Sequence, residues 1–304
     1  MKRHLSIVGI LILTIVGFSG CRSKEPANMG QYFKPAQAKG FNILLVTIDS
    51  AQQDRLGCYG YQLAITPTID SLAAVGVQYY EAVSSSPLCL PSHVTIMTGQ
   101  SPQTHGVRDN DLNTLGDEPS TLAEDLRDSG YSTAAFVGAL VLDKRSGLDR
   151  GFDFYNFQIS ATENKPQMAG PVEHPANEVT DSTLTWLKQH KTDQPGKPFF
   201  TWVQYYDAEI SFVDGQLKRL VKWLDESDTR DTTLIVLTSA QGTSIYNSTL
   251  KVPLIINCPS RIFGHLAIKK SIAGLVDLRA TIGDMAGVQP SISTDGQSLL
   301  DYQE

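Results

Sequence analysis

Cysteine and histidine are scarce in this chain, with four and six among 304 residues. Beyond position 21 only Cys58, Cys89 and Cys258 remain, an odd number without Cys-x-x-Cys spacing. That excludes a zinc knuckle and a disulfide framework, and leaves room for one disulfide in an oxidising compartment. Cys58 and Cys258 read as small core residues. No apolar run reaches the roughly 20 residues that a membrane-spanning helix needs. No cluster of Lys or Arg follows the first few residues, and the formal net charge is −7, which argues against nucleic-acid binding. No internal repeat is present, and the remaining composition is ordinary for a globular protein.

What is present begins at the N-terminus. Met1-Lys2-Arg3-His4 is basic, Leu5 to Phe18 is apolar, and Ser19-Gly20 precedes Cys21. A basic start, a short apolar stretch and small residues before a cut site predict a secretory signal peptide over 1–20, with an uncleaved anchor as the alternative. Phe18-Ser19-Gly20-Cys21 resembles the lipobox of bacterial lipoproteins, with Phe where Leu is usual. The resemblance implies cleavage before Cys21, lipid on its thiol, and a membrane-anchored protein on the periplasmic or cell-surface side. Residues 21–40 are polar and mixed, with Pro26, Gly30, Pro35 and Gly40, and read as a flexible tether. The folded domain is expected over 41–304.

Within 41–304 short apolar runs alternate with amphipathic stretches. Asn42 to Ile48 is a continuous apolar run closed by Asp49, as suits a strand buried on both faces of a parallel sheet. Strands are also predicted over 77–83, 132–137, 199–205, 233–238 and 252–256. Helices are predicted over 66–74, 92–98, 122–129, 177–190, 209–224 and 272–285, the first with Pro at an early helical position and the third closed by Gly130. The alternation predicts an α/β fold, a mostly parallel central sheet flanked by helices on both faces. Sites in such folds collect at the carboxyl ends of the strands.

Several stretches carry a resemblance to one family. NILLVTIDS (42–50), DRLGCYGY (54–61), the long run TPTIDSLAAVGVQYYEAVSSSPLCLPSHVTIMTGQSPQTHGVRDN (66–110), TLIVLTSAQG (233–242), KVPLIINCPS (251–260) and VDLRATIGDMAGV (276–288) occur in order. Together they resemble the sulfatase family of the alkaline phosphatase superfamily, over nearly all of 41–304. The resemblance implies hydrolysis of a sulfate or phosphate ester of a small molecule or glycan. It also implies a divalent metal, calcium or zinc, and a nucleophile at a helix N-terminus, where backbone N–H groups favour an anion.

Residue by residue, the resemblance makes Asp49 a metal carboxylate and Cys89 the nucleophile. Formylglycine-forming enzymes favour Cys-x-Pro-x-Arg, and here the last position is His93, so both formylglycine and a plain thiol stay open for Cys89. His93, one helical turn on, can contact the same anion. Asn110 is a candidate substrate contact, and His105 reads as structural. Asp207 matches either the metal Asp or the residue that opens the following helix. Gln241 can lend one amide oxygen.

The departures fall in the same places. The family's Ser-Asp-His/Asn-Gly is Ser239-Ala240-Gln241-Gly242 here, so a carboxylate has become a methyl. The segments after Tyr206 and after Gly242 are short. A hard cation wants six to eight oxygens, and this count is not met. The sequence therefore leaves two readings: a sulfatase-like hydrolase with impaired activity, or a catalytically inactive binding or scaffold lipoprotein on the same fold.

Overall fold

The computed structural model describes residues 29–301 except 50, 111–113, 158–174, 207–208, 241–249 and 263. In chain order it contains β1 (Asn42–Ile48), α1 (Pro67–Ala74), β2 (Val77–Val83), α2 (Cys89–Thr98), α3 (Pro102–His105), α4 (Leu122–Asp128) and β3 (Ser132–Val137). There follow β4 (Phe154–Asn156), α5 (Ala176–Asp193), β5 (Phe199–Tyr205), α6 (Ile210–Glu226), β6 (Thr233–Thr238), β7 (Leu254–Asn257), β8 (Leu266–Gly274) and α7 (Leu278–Ala286).

The eight strands form one sheet in the order β4-β3-β5-β1-β6-β7-β2-β8. Every pairing is parallel except those of β7, which runs antiparallel to both β6 and β2. Strand β1 lies between β5 and β6 and is buried from Ile43 onward. That burial explains its unbroken apolar run, because a central strand of a covered parallel sheet has no wet face. Ile43 and Leu45 pack with Val94 of α2, Leu122 of α4 and Ile282 of α7 in one cluster. Leu44, Val46 and Ile48 pack on the other face with Ile69 of α1, Leu187 of α5 and Leu217 of α6. The two clusters are the two sides of the sheet.

Helix ends are closed by local chemistry. Thr121 and Glu124 form a capping box at the start of α4, with the Thr121 hydroxyl accepting from Glu124 N–H and the Glu124 carboxylate from Thr121 N–H. The start of α1 is capped from afar: buried Asp214 of α6 accepts from the N–H groups of Thr68 and Ile69. Gly99 ends α2 at φ 65°, a left-handed conformation that favours glycine.

The fold departs from the sequence expectation in several places. Strand β8 is additional to the predicted strands, and the last helix is α7 at 278–286 rather than 272–285. As an edge strand with exposed Lys269 and Lys270, β8 lacks the apolar run of a covered strand. The three-residue β4, at the other edge, is too short to show a period. Finally, residues 29–40 are not a free tether. Met29, Phe33 and Ala38 are buried in the core cluster shared with α7, and Ala36 and Ala38 donate backbone N–H to the carbonyls of Asp284 and Met285. Residues 1–28, with the predicted signal peptide and Cys21, lie outside the described residues.

Candidate active site

Side chains alternate along a strand, so Thr47 and Asp49 point to the same face of β1, the face covered by α2. The Asp49 N–H donates to Tyr205 O at 2.9 Å, which extends the β1–β5 ladder by one residue and fixes the carboxylate at the carboxyl end of the sheet. Cys89 is the first residue of α2, and its Sγ–H donates to Asp49 Oδ2 at 2.9 Å.

His93, one turn on, is fully buried. Its Nδ1 lies 2.9 Å from the Cys89 carbonyl oxygen. A carbonyl only accepts, so Nδ1 carries the proton and the neutral ring presents an acceptor at Nε2. The Thr47 hydroxyl donates to that Nε2 at 3.1 Å and accepts from Trp202 Nε1–H at 3.0 Å. One directed chain therefore runs from Trp202 through Thr47 and His93 to the backbone of Cys89.

Burial sets the protonation states. Desolvation pushes the Cys89 thiol well above its ordinary range, and the negative charge of Asp49 pushes it further. Desolvation lowers His93 below its ordinary value and outweighs the opposing pull of Asp49. Two polar atoms here have no hydrogen-bond partner among the described residues: Asp49 Oδ1 and Gln204 Nε2. Asp49 Oδ1 lies 3.6 Å from His93 Nε2. Gln204 is aligned with Thr47 in the β1–β5 register, and its Oε1 is held by the N–H groups of Gly138 and Ala139. Nothing in the sequence singles out Gln204. Its role as a buried amide at a strand end arises only from the pairing of β3 with β5.

The first turn of α2 offers an anion less than its position suggests. Pro91 has no N–H, Ser92 N–H is engaged with Leu88 O, and Leu90 N–H donates to Asn110 Oδ1 at 3.0 Å. Asn110 thus caps the helix with its oxygen, which leaves only its amide NH2 for a substrate. Ser84 and Ser92 approach at 3.1 Å beneath the turn, and the Ser84 hydroxyl donates to Ala240 O at 2.7 Å. His105 is structural, as the sequence suggests. Its Nδ1 accepts from Val107 N–H, its Nε2 faces Thr95 Oγ1, and burial lowers it to about 4.

The structure brings Asp49, Cys89 and His93 together, with one ligand atom from each within 4.8 Å of the others. It places Asn110 beside them. Asp207, Gln241 and Cys21 lie outside the described residues. Against the metal implied by resemblance, the described donors fit calcium poorly. Asp49 is the one carboxylate, the buried Ala240 side chain is a methyl, and the Ala240 carbonyl already serves Ser84. A hard cation held by six to eight oxygens is not supplied by these residues. Next to the site, a cleft of about 510 Å³ has Asp49, Arg55, Leu63, Ile65 and Ile210 in its walls.

Known proteins share this chain's pattern. The family model for sulfatases matches residues 41–205. The uncharacterized sulfatase YidJ of Escherichia coli is 22% identical, over 86% of this chain and 71% of its own length. Iduronate 2-sulfatase of Mus musculus is 33% identical over 64% of this chain, which spans only 39% of that protein. Among solved structures, BT4656 in complex with its substrate D-glucosamine-2-N,6-O-disulfate superposes with a TM-score of 0.71 at 18% identity, covering 88% of this chain and 79% of that one. At that identity the likeness speaks for the fold alone.

Proposed function

From the premise that this chain belongs to the sulfatase family, we propose that it is a sulfate or phosphate ester hydrolase whose turnover is impaired. The observation that carries this reading is the Cys89 Sγ–Asp49 Oδ2 contact at the first turn of α2, at the carboxyl end of the sheet. A sulfur nucleophile and a strand-end carboxylate stand there face to face. The impairment follows from the surroundings of the thiol. The thiolate is the reactive form, and burial and Asp49 both disfavour it. His93 cannot relieve this as a general base while its Nδ1–H is bound to Cys89 O and its Nε2 to the Thr47 hydroxyl. The described donors do not fit a calcium ion, so the reading rests on the thiol and the carboxylate themselves.

The purified full chain is expected to hydrolyse aryl sulfates and aryl phosphates at no more than trace rates. Robust turnover that disappears in Cys89→Ala would overturn the impairment. A second reading is favoured by Ala240, which stands where the resemblance places a carboxylate: a sulfatase-fold lipoprotein that binds its ligand without cleaving it. Saturable binding of a sulfated oligosaccharide with no turnover would select that reading.

Anchoring is proposed through lipid on Cys21. Among the described residues no helix is long and apolar enough to cross a membrane. Several acyl chains, at about 0.8 kcal/mol per buried methylene, would hold the chain on a bilayer. Cys21→Ser should move the protein from the membrane pellet to the soluble fraction, and unchanged pelleting would refute lipidation.

A further inference from the structure

We infer that the cleft beside Asp49 selects the organic part of the ester: it takes a compact apolar group, aryl or alkyl, in preference to a sulfated sugar, and Leu63 and Ile65 make that choice. The inference rests on the sulfate or phosphate ester reading above and names its substrate class.

Position comes first. Asp49 belongs to both features, since its carboxylate accepts from Cys89 and the residue stands in the cleft wall. A ligand whose anionic group lies at Cys89 therefore extends its organic part into the cleft. A volume of about 510 Å³ falls within the usual range for small-molecule pockets.

The walls are chiefly apolar. Ile48 and Leu56, each 1% exposed, line one part of it. Tyr61, Leu63, Ala64 and Ile65 come from one loop and line another, whereas the polar Gln62 of that loop does not. Leu63 is 78% exposed and Ile65 70%. A single exposed apolar side chain is ordinary, but two of them in one cleft with Tyr61 and Ile210 make a patch of the kind that marks a binding surface. The loop that presents them is pinned. Tyr61 N–H donates to Leu56 O at 3.2 Å, Ala64 N–H to Tyr61 O at 3.2 Å, and Gly57 N–H to Thr66 Oγ1 at 3.1 Å. A pinned apolar wall binds without first being ordered, so less of the contact free energy is lost to entropy.

Charge argues against a sulfated glycan. Among the described walls two carboxylates, Asp49 and Glu209, accompany one cation, Arg55. The Arg55 guanidinium lies over the Tyr61 ring, 5.7 Å from its centroid, and Glu209 Oε1 accepts from the Ser211 hydroxyl at 2.8 Å. A glycan with several sulfates would bring further negative charge to a wall that is itself net negative. It would also set sugar hydroxyls against Leu63 and Ile65, whose side chains offer no hydrogen bond. An aryl or alkyl group instead covers those side chains and removes their surface from water.

The test uses the full chain in phospholipid nanodiscs, where no free detergent competes for an apolar cleft. Binding of 2-naphthyl sulfate, 2-naphthol and glucose 6-sulfate is read by titration calorimetry. 2-Naphthyl sulfate should bind about tenfold or more tighter than glucose 6-sulfate, a margin that a few methylene contacts supply. The double variant Leu63→Ser with Ile65→Ser should lose that margin with unchanged circular dichroism, because both side chains are largely exposed. Gln62→Ser, in the same loop but outside the cleft wall, should keep it. Equal affinity for the aryl and sugar sulfates would overturn the inference. So would an unchanged 2-naphthyl sulfate affinity in the double variant, which would leave Leu63 and Ile65 to a protein or bilayer contact. 2-Naphthol separates this inference from the ester reading. If it binds as tightly as its sulfate and is weakened by the double variant, the apolar cleft stands and the sulfate-ester reading falls.

Discussion

Arg279→Ala is expected to destabilise the fold by about 3–5 kcal/mol, the range for removing one partner of a buried ion pair. The Arg279 guanidinium is fully buried. Its Nε and Nη2 donate to Asp125 Oδ2 at 3.0 and 2.6 Å, and its Nη1 donates to the carbonyls of Thr98 and Ser120 at 2.7 Å each. Asp125 Oδ1 accepts from the N–H and hydroxyl of Ser291. One side chain therefore ties α7 to α4, to the last residue of α2 and to the C-terminal segment. Removing it strands a buried carboxylate and two carbonyls. Arg279→Lys should rescue only part of the loss, because an ammonium cannot reproduce the planar fork. Urea denaturation followed by circular dichroism reads both, and a loss below about 1 kcal/mol for the alanine variant would show that the pair is not a structural anchor. The consequence reaches the site, since α2 carries Cys89 and His93 at its other end.

Phe33→Ala is expected to cost about 3–5 kcal/mol, the range for deleting a buried aromatic side chain. Phe33 is 1% exposed and packs with Met29 and Ala38 against the cluster that includes Met285 and Leu300. The backbone around it is bound as well, through Ala36 and Ala38 to α7 and through Gln37 O to Arg261 Nε. At Gly30 a Cβ would fall on the Leu300 carbonyl, so that residue lies too close to the C-terminal segment for any side chain. If residues 29–40 were a loose tether, Phe33→Ala would be neutral within about 0.5 kcal/mol, as surface substitutions usually are. The urea midpoint of this variant therefore decides between a packed segment and a spacer.

The contrast between β1 and residues 29–40 shows how far local pattern reaches. The Asn42–Ile48 run marks β1 because a central strand must be apolar on both faces, and such an unbroken run closed by a polar residue suits that position. Residues 29–40 carry no such signal. Of their buried side chains, Met29 and Phe33 are four apart but Ala38 lies five further on, so no helical or strand period runs through the segment, which is placed by the surface it lies on. Strand β8 is hidden in the sequence for a related reason: its lysines suit an edge, where one side of the strand meets water.

At the site the division is the same. The order of motifs alone marks Asp49, Cys89 and His93, since their spacing along the chain carries the resemblance. The same resemblance implies a carboxylate where Ala240 stands. Neither the tautomer of His93, nor the use of Asn110 as a cap, nor the unpartnered Asp49 Oδ1 can be read there. Each depends on groups far apart in sequence, with Cys89 and Asp49 separated by 40 positions and Trp202 and Thr47 by 155.

By itself, then, the chain's local patterning determined most of the strands, most of the helices and the family, because apolar period and motif order are properties of neighbouring residues. Only the tertiary structure decided which donors meet and which hydrogen bonds are already spent. Packing α2 across the end of β1 removes water from Asp49, Cys89 and His93, and in the absence of water every unsatisfied lone pair has to be answered by a specific neighbour.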